Sequence, residues 1–337
     1  MRSKFRYSLE NFRGVAIIFV MLSHVMSIQK IGMGGDYFYY IVGDATTWFV
    51  FISGYLFYYL EVNKFNYWSY VVKKGKYVLL PYIILSIPVI LYGIYSSQHI
   101  LYGLTPSQYV FWSLMSGGVI VGPMWFIPMI TLFFLLTPIF IILSKSKFLY
   151  YVSVFSLIFS IFSSRPIYNT NAMLSFLHFF GFYLLGIVAA KDAVLLEKLK
   201  TSTKKKIIAI AFFSFFVFGI FFPGFESMPN SFFNGFGKLN YIVLGKLALL
   251  VAIFFLFEQF FDRENNVFGY FSKISFGLFF VHGFMSSFFN KMSKNINYCD
   301  PIVKALSEIG VVIFVSIVIV FFAKRILKKW SRYVIGC

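Results

Sequence analysis

Arg13 and His24 are the residues whose types and spacing most directly suggest chemistry. They bracket the apolar run RGVAIIFVMLSH. Eleven helical residues at about 100° each make about three full turns, so both side chains project from one face, about 16 Å apart along the axis. A guanidinium binds anionic groups, and an imidazole serves as general base or nucleophile. A same-face Arg and His on an apolar helix thus read as a path from an anionic ligand at the membrane surface to a buried reactive centre. The competing reading is a snorkelling arginine and a hydrogen-bonded packing histidine. Asp44 favours the path. The turn between the first two apolar segments is short, so they are antiparallel neighbours, and Asp44 reaches a depth similar to that of His24. A carboxylate beside an imidazole fixes its tautomer, as a general base needs.

The other titratable groups inside apolar runs are His178, Lys246, Glu258 and His282. Such groups cost a few kcal/mol each on insertion scales, so each is a functional candidate. His282 sits at mid-depth in SFGLFFVHG and, taken alone, reads as a structural histidine. Lys246 and Glu258 lie too far apart on one segment to pair, so each is expected to find a partner on another helix or at an interface.

These residues need elements to hold them. The chain has 337 residues, 59% apolar and 12% charged, with a mean hydropathy of +0.80. A soluble chain carries about 25% charged residues. That excludes a soluble cytosolic enzyme, a secreted disulfide domain and a disordered tail. The net charge of +18 belongs in loops that face anionic lipid headgroups, so membrane lipid and not nucleic acid is the expected partner. Cys299 and Cys337 make no disulfide framework, and no metal-ligand spacing is present.

About ten stretches approach the roughly 20 apolar residues that a membrane helix needs. They are 15–31, 37–60, 77–96, 124–143, 148–163, 173–190, 207–222, 239–261, 274–290 and 305–323. Alternate connections collect 23 of the 30 lysines and arginines, which the positive-inside rule assigns to the cytoplasm. The expectation is an all-α polytopic membrane bundle of about ten transmembrane helices. Both termini are cytoplasmic, the first segment is a retained helix, and residues 1–337 form a single integral-membrane domain. The longest external loop, 97–123, holds no Lys or Arg.

Several motifs, in order over about residues 7–285, resemble membrane-bound acyltransferase family 3, the bacterial O-acetyltransferases of cell-surface glycans. YSLENFRGVAIIFVMLSHV is similar to that family's opening segment with its Arg-x10-His motif, carried by Arg13 and His24. FVFISGYLF resembles its Ser-Gly-Tyr/Phe motif at Ser53, Gly54 and Tyr55. KKGKYVLLPYI resembles its basic segment before Pro-Tyr, and GPMWFIPMITLFFLLTP its Leu-Trp-Phe-Leu segment at Trp125. FGFYLLGIVAA and ISFGLFFVHG match its Phe-x-x-x-Gly helix and, in part, its late Ser-x-x-x-Tyr-x-x-x-His segment. Tyr77 stands where the family often has Arg, Phe279 where Tyr is common, and Met124 replaces a Leu.

The resemblance implies cytoplasmic acetyl-CoA, or another acyl-CoA, as co-substrate with no permanently bound cofactor. The acceptor it implies is a hydroxyl of a cell-surface or lipid-linked glycan, and the location the bacterial inner membrane. Arg13, Lys73, Lys74 and Lys76 would meet the CoA phosphates; for the lysines, topology alone is an alternative. His24 would act as general base or carry the acyl group covalently, with Asp44 orienting it. Ser53 would hydrogen-bond the thioester or, with Gly54, let helices approach closely. Tyr55 and Trp125 would line the acceptor side, and His282 would support the site. A stand-alone form without an SGNH-type esterase domain is expected, handing the acyl group on directly or through a glycan-assembly partner; a homo-oligomer is also open. The main rival is a transporter or flippase of a lipid-linked glycan. A glycan polymerase or ligase typically relies on a basic external loop, which 97–123 does not provide.

Overall fold

The computed structural model describes residues 5–25, 27, 31–117, 122–165, 171–222, 224, 232–233, 238–293 and 300–337. Backbone amides in hydrocarbon have no water to bond, so apolar runs close their hydrogen bonds internally as helices. Among the described residues all the regular secondary structure is helical apart from an isolated bridge between Ser163 and Phe233. In chain order the helices are α1 (Tyr7–Ser23), α2 (Met33–Val42), α3 (Thr46–Glu61), α4 (Tyr67–Lys74), α5 (Leu80–Tyr95), α6 (Gln98–Leu101) and α7 (Pro106–Ser116). There follow α8 (Phe126–Leu135), α9 (Thr137–Ser144), α10 (Phe148–Ile161), α11 (Ala172–Lys191), α12 (Ala193–Glu197) and α13 (Thr201–Ile220). The last are α14 (Tyr241–Phe260), α15 (Asn266–Lys273), α16 (Ser275–Met292), α17 (Pro301–Gly310), α18 (Ser316–Leu327) and α19 (Ser331–Val334). Short polar side chains start several of them by accepting orphan amide protons. Asn171 caps α11, Asn240 caps α14, Asn265 caps α15, and Asp300 caps α17 ahead of Pro301.

Four helical runs among the described residues are long and apolar enough to cross a membrane: Tyr67–Tyr95, Ala172–Lys191, Tyr241–Phe260 and Pro301–Val334. The number rises to six if two bent pairs each count as one span. One pair bends by 54° between Leu135 and Thr137, the other by 72° between α15 and α16. These helices mark an integral membrane protein.

Two expected stretches take a different form. The first helix stops at Ser23 and does not continue to 31. The stretch 37–60 is broken at residues 43–45, where Asp44 takes the left-handed conformation with φ 52°. A non-glycine residue there costs energy and stops the helix. The break exposes the last carbonyls of α2, and the Ile41 carbonyl accepts a hydrogen bond from Lys246 Nζ. A buried ammonium at a helix C-terminus satisfies the orphan acceptor and opposes the helix dipole. Lys246 thus finds its partner on another helix, as Glu258 does at Arg6, 3.2 Å away.

Missing side chains set the closest helix contacts. A Cβ on Gly54 of α3 would overlap the Tyr183 carbonyl of α11, and one on Gly186 would overlap the Phe51 carbonyl. The two helices pack backbone to backbone, as small residues allow in membranes. Gly54→Ala and Gly186→Ala are each expected to lower the unfolding free energy in detergent by about 1–3 kcal/mol through overpacking. Gly75, whose Cβ position faces open space, is the control. Gly75→Ala should leave stability unchanged or raise it by up to about 1 kcal/mol.

Candidate active site

The seam between α1 and the α15–α16 pair carries the candidate site. Arg13 Nε donates to Ser272 Oγ at 2.8 Å, and its Nη2 donates to the Ser272 carbonyl at 3.1 Å. Ser272 lies in the last turn of α15, just before the 72° bend. Beyond the bend α16 runs alongside α1 and brings His282 to His24. The two imidazoles meet edge to face, with centroids 5.1 Å apart. Ser286, one turn further along α16, places its hydroxyl 3.0 Å from the His24 carbonyl. Arg13 and His24 therefore share a face, as their spacing predicts. On the same stretch of α1 a mainly apolar cavity of about 20 Å³ is lined by Val20, Phe49, Phe126 and Phe279, with Thr46 and Ser275 as its polar edge. At the Arg13 end a larger cavity of about 270 Å³ lies among Arg6, Leu9, Glu10, Arg13 and Tyr59.

The end of α1 determines the His24 tautomer. As the helix closes, the His24 amide turns to the Met21 carbonyl at 3.2 Å. The Val20 carbonyl accepts instead from His24 Nδ1 at 2.8 Å and from Ser23 Oγ at 2.8 Å. A carbonyl oxygen cannot donate, so Nδ1 carries the proton and, in the neutral ring, Nε2 carries the lone pair. His282 is held the same way, with Nδ1 2.9 Å from the Leu278 carbonyl. It is fully buried, and its Nε2 has no hydrogen-bond partner among the described residues.

Asp44 does not take the place expected for it. Its carboxylate forms an ion pair with Arg165, at 2.7 Å from Nε, and the Val20 carbonyl does for His24 what Asp44 was expected to do. The break at residues 43–45 explains the difference: Asp44 sits in a turn and not on a helix face level with His24. Arg165 also lies over the Trp125 ring at 5.5 Å and donates to the Tyr39 hydroxyl at 3.4 Å. It remains within electrostatic reach of His24. Trp125 stacks on Phe179 at 5.7 Å, and His178 Nδ1 lies 2.8 Å from Ser163 Oγ.

The other expected residues divide. Lys74 lies over the rings of Phe134 and Tyr70, at 4.6 and 5.2 Å, within electrostatic reach of Arg13. Lys73 is exposed and 3.5 Å from Glu61, and Lys76 is exposed in the π-turn Gly75–Leu79. At Tyr77, Arg332 places a guanidinium 4.0 Å above the ring. Ser53 is half-buried beside the close approach at Gly54. Tyr55 lies apart from Trp125 and Arg165, buried against Phe51 and Phe254 on the side of Arg6 and Glu258. Sequence reasoning missed two charged groups. Arg165 belongs to no motif, although it closely follows the apolar stretch 148–163. Glu308 was passed over inside 305–323, where a lone acid in an apolar run is itself the signal. It is fully buried.

Among the described residues no group of three or more His, Cys, Asp or Glu could hold a metal ion. The fold and seam define an integral membrane protein in which two imidazoles meet between packed helices. Comparison with protein families matches residues 6–325 to the acyltransferase domain of the acyltransferase 3 family. The chain belongs to that family, which makes it a transferase with an acyl donor and an acyl acceptor. No curated protein and no solved structure matches it.

The Asp44–Arg165 pair predicts a stability signature. Removing one partner of a buried pair strands the other charge, at about 3 kcal/mol or more. Asp44→Asn and Arg165→Met should each lower unfolding stability in detergent by about that amount, and the double variant by less than their sum.

Proposed function

We propose that this protein moves an acyl group, acetyl by family frequency, from cytoplasmic acyl-CoA to a hydroxyl of a cell-surface or lipid-linked glycan. On this reading the chain crosses the bacterial inner membrane about ten times, with both termini in the cytoplasm. The observation that carries the proposal is the α1 seam, with Arg13 at one end and a Nδ1-protonated His24 at the other. Ser272 holds two sides of the Arg13 guanidinium, leaving Nη1 for a phosphate oxygen of CoA. Lys74 adds positive charge near Arg13, and Lys73 and Lys76 do so at the surface. The pantetheine arm follows the seam past Val20 to bring the thioester to His24, and the cavity there, about 20 Å³, widens as α1 and α16 part to admit it.

There His24 Nε2 takes the proton of the acceptor hydroxyl as its oxygen attacks the thioester carbonyl. The carbon–sulfur bond of the tetrahedral intermediate then breaks, and the proton on His24 passes to the CoA sulfur. His282 Nε2, beside it, is a second acceptor that can share that proton. Arg165, held by Asp44 and stacked on Trp125, contributes positive charge near the developing oxyanion. Trp125 offers a flat face of the kind sugars stack on.

The test is transfer from radiolabelled acetyl-CoA in nanodiscs supplied with glycan or lipid-linked saccharide acceptors. Wild type should release CoA and label the acceptor. His24→Ala is expected to lower turnover about 10³-fold. Arg13→Gln is expected to raise the KM for acyl-CoA about tenfold, with a smaller change in kcat. Full activity in His24→Ala would overturn the mechanism, and failure of folded wild type with every acyl-CoA tried would overturn the function.

A further inference from the structure

Glu308 is a fully buried carboxylate to which the mechanism above assigns no part. It lies on α17 and reaches across to the turn where α1 ends. The Ser27 backbone amide donates to Glu308 Oε2 at 2.9 Å, and the Ser27 hydroxyl donates to the same oxygen. The other oxygen, Oε1, lies 3.2 Å from Ser286 Oγ. Ser286 is also 3.0 Å from the His24 carbonyl, and its single proton serves one acceptor at a time. One carboxylate therefore ties together the chain just after His24 and the α16 turn just after His282. Apolar packing runs parallel to these bonds, as Val25 and Ala305 are buried together against Ile309.

The local form of α17 suits this task. Glu308, Val312, Ser316 and Val320 are all buried, at intervals of four residues. On a regular α-helix that interval drifts by about 40° per step, which would turn one end of the row away from its neighbours. The π-turn Val311–Val315 follows α17 and absorbs the drift. Val312 and Val320 can then pack toward α16 while Glu308 still faces the end of α1.

We propose that Glu308 is a positioning residue for His24. By fixing the turn after α1 to α16 it sets the approach of the His24 and His282 rings. The proposal rests on the reading of His24 as the reactive group. Its physical basis is that a reacting group displaced by 1 Å can lose about a hundredfold in rate. A buried carboxylate with several fixed donors is stiffer than a chain terminus packed by apolar contact alone.

Two readouts test it, on the full chain in nanodiscs. The first is steady-state transfer from acetyl-CoA. Glu308→Ala is expected to lower kcat at least about tenfold with the acyl-CoA KM within about twofold. Glu308→Gln keeps an acceptor for Ser27 and should recover kcat to within about threefold of wild type. Ser286→Ala cuts the link to His24 with the smallest change in volume, and should lower kcat about threefold. The second readout needs no turnover. A neutral imidazole nitrogen attacks a carbonyl of diethyl pyrocarbonate, giving the carbethoxy-histidine with release of ethanol and carbon dioxide, and the rate at His24 is followed by mass spectrometry of that peptide. Glu308→Ala and Ser286→Ala should raise this rate about fivefold as the ring loosens. Wild-type kcat and wild-type His24 reactivity in folded Ser286→Ala would overturn the proposal, even if Glu308→Ala fails to fold. A loose His24 in a protein that transfers no acyl group would support the clamp and sink the acyltransfer reading. Active wild type with unchanged variants would do the reverse.

Discussion

Gly14 has no side chain, and the Phe268 carbonyl lies where one would be. That approach of α15 to α1 brings Ser272 within reach of the next residue back, Arg13. It also decides where the chain stands when it bends at Ile274 and begins α16. From that point the two helices run side by side, and each turn of α1 meets a turn of the other arm. Arg13 meets Ser272, Val20 faces Phe279 across the apolar cavity, and His24 meets His282. A larger residue at position 14 would move α15 outward and break the register at the first rung.

Most polar groups along this seam obey one rule of low-dielectric surroundings: burial demands a partner, and the partner dictates what the group can do; His282 Nε2 is an exception among the described residues. The Val20 carbonyl loses its helical donor at the end of α1 and accepts a hydrogen bond from His24 Nδ1 instead. The same interaction stabilises the helix terminus and sets the tautomer. Lys246 caps α2 by the same logic, and Arg165 holds Asp44 in its left-handed turn. At the end of α1 the tautomer of His24 and the termination of the helix are set by the same hydrogen bond.

The sequence made some of this legible and hid the rest for definable reasons. The shared face of Arg13 and His24 follows from helical periodicity alone, so it needed no knowledge of neighbours. The cores of the apolar stretches fall on helices, because hydrocarbon leaves no alternative for the backbone, although α1 ends at Ser23 within 15–31 and 37–60 is broken at 43–45. The break at residues 43–45 was hidden, since an apolar run continues on both sides of it and a left-handed Asp leaves only a weak local mark. The partner of Asp44 was hidden too. Arg165 lies far along the chain, and only tertiary packing brings it near. Tyr55 shows the limit of motif position: it follows Gly54 in sequence, yet it faces the core on the Arg6 side. Glu308 was open to view as a lone acid in an apolar run, and its serine donors come from two other elements.

The central claim is that acyl-CoA lies along the α1 seam from Arg13 to His24. The most direct measurement is a nanodisc structure with a non-hydrolysable thioether analogue of acetyl-CoA. The account predicts a phosphate within hydrogen-bond distance of Arg13, pantetheine between α1 and α16, and the acyl carbonyl carbon within about 4 Å of His24 Nε2. An analogue bound with its sulfur elsewhere, and the seam between Val20 and Phe279 closed, would contradict it.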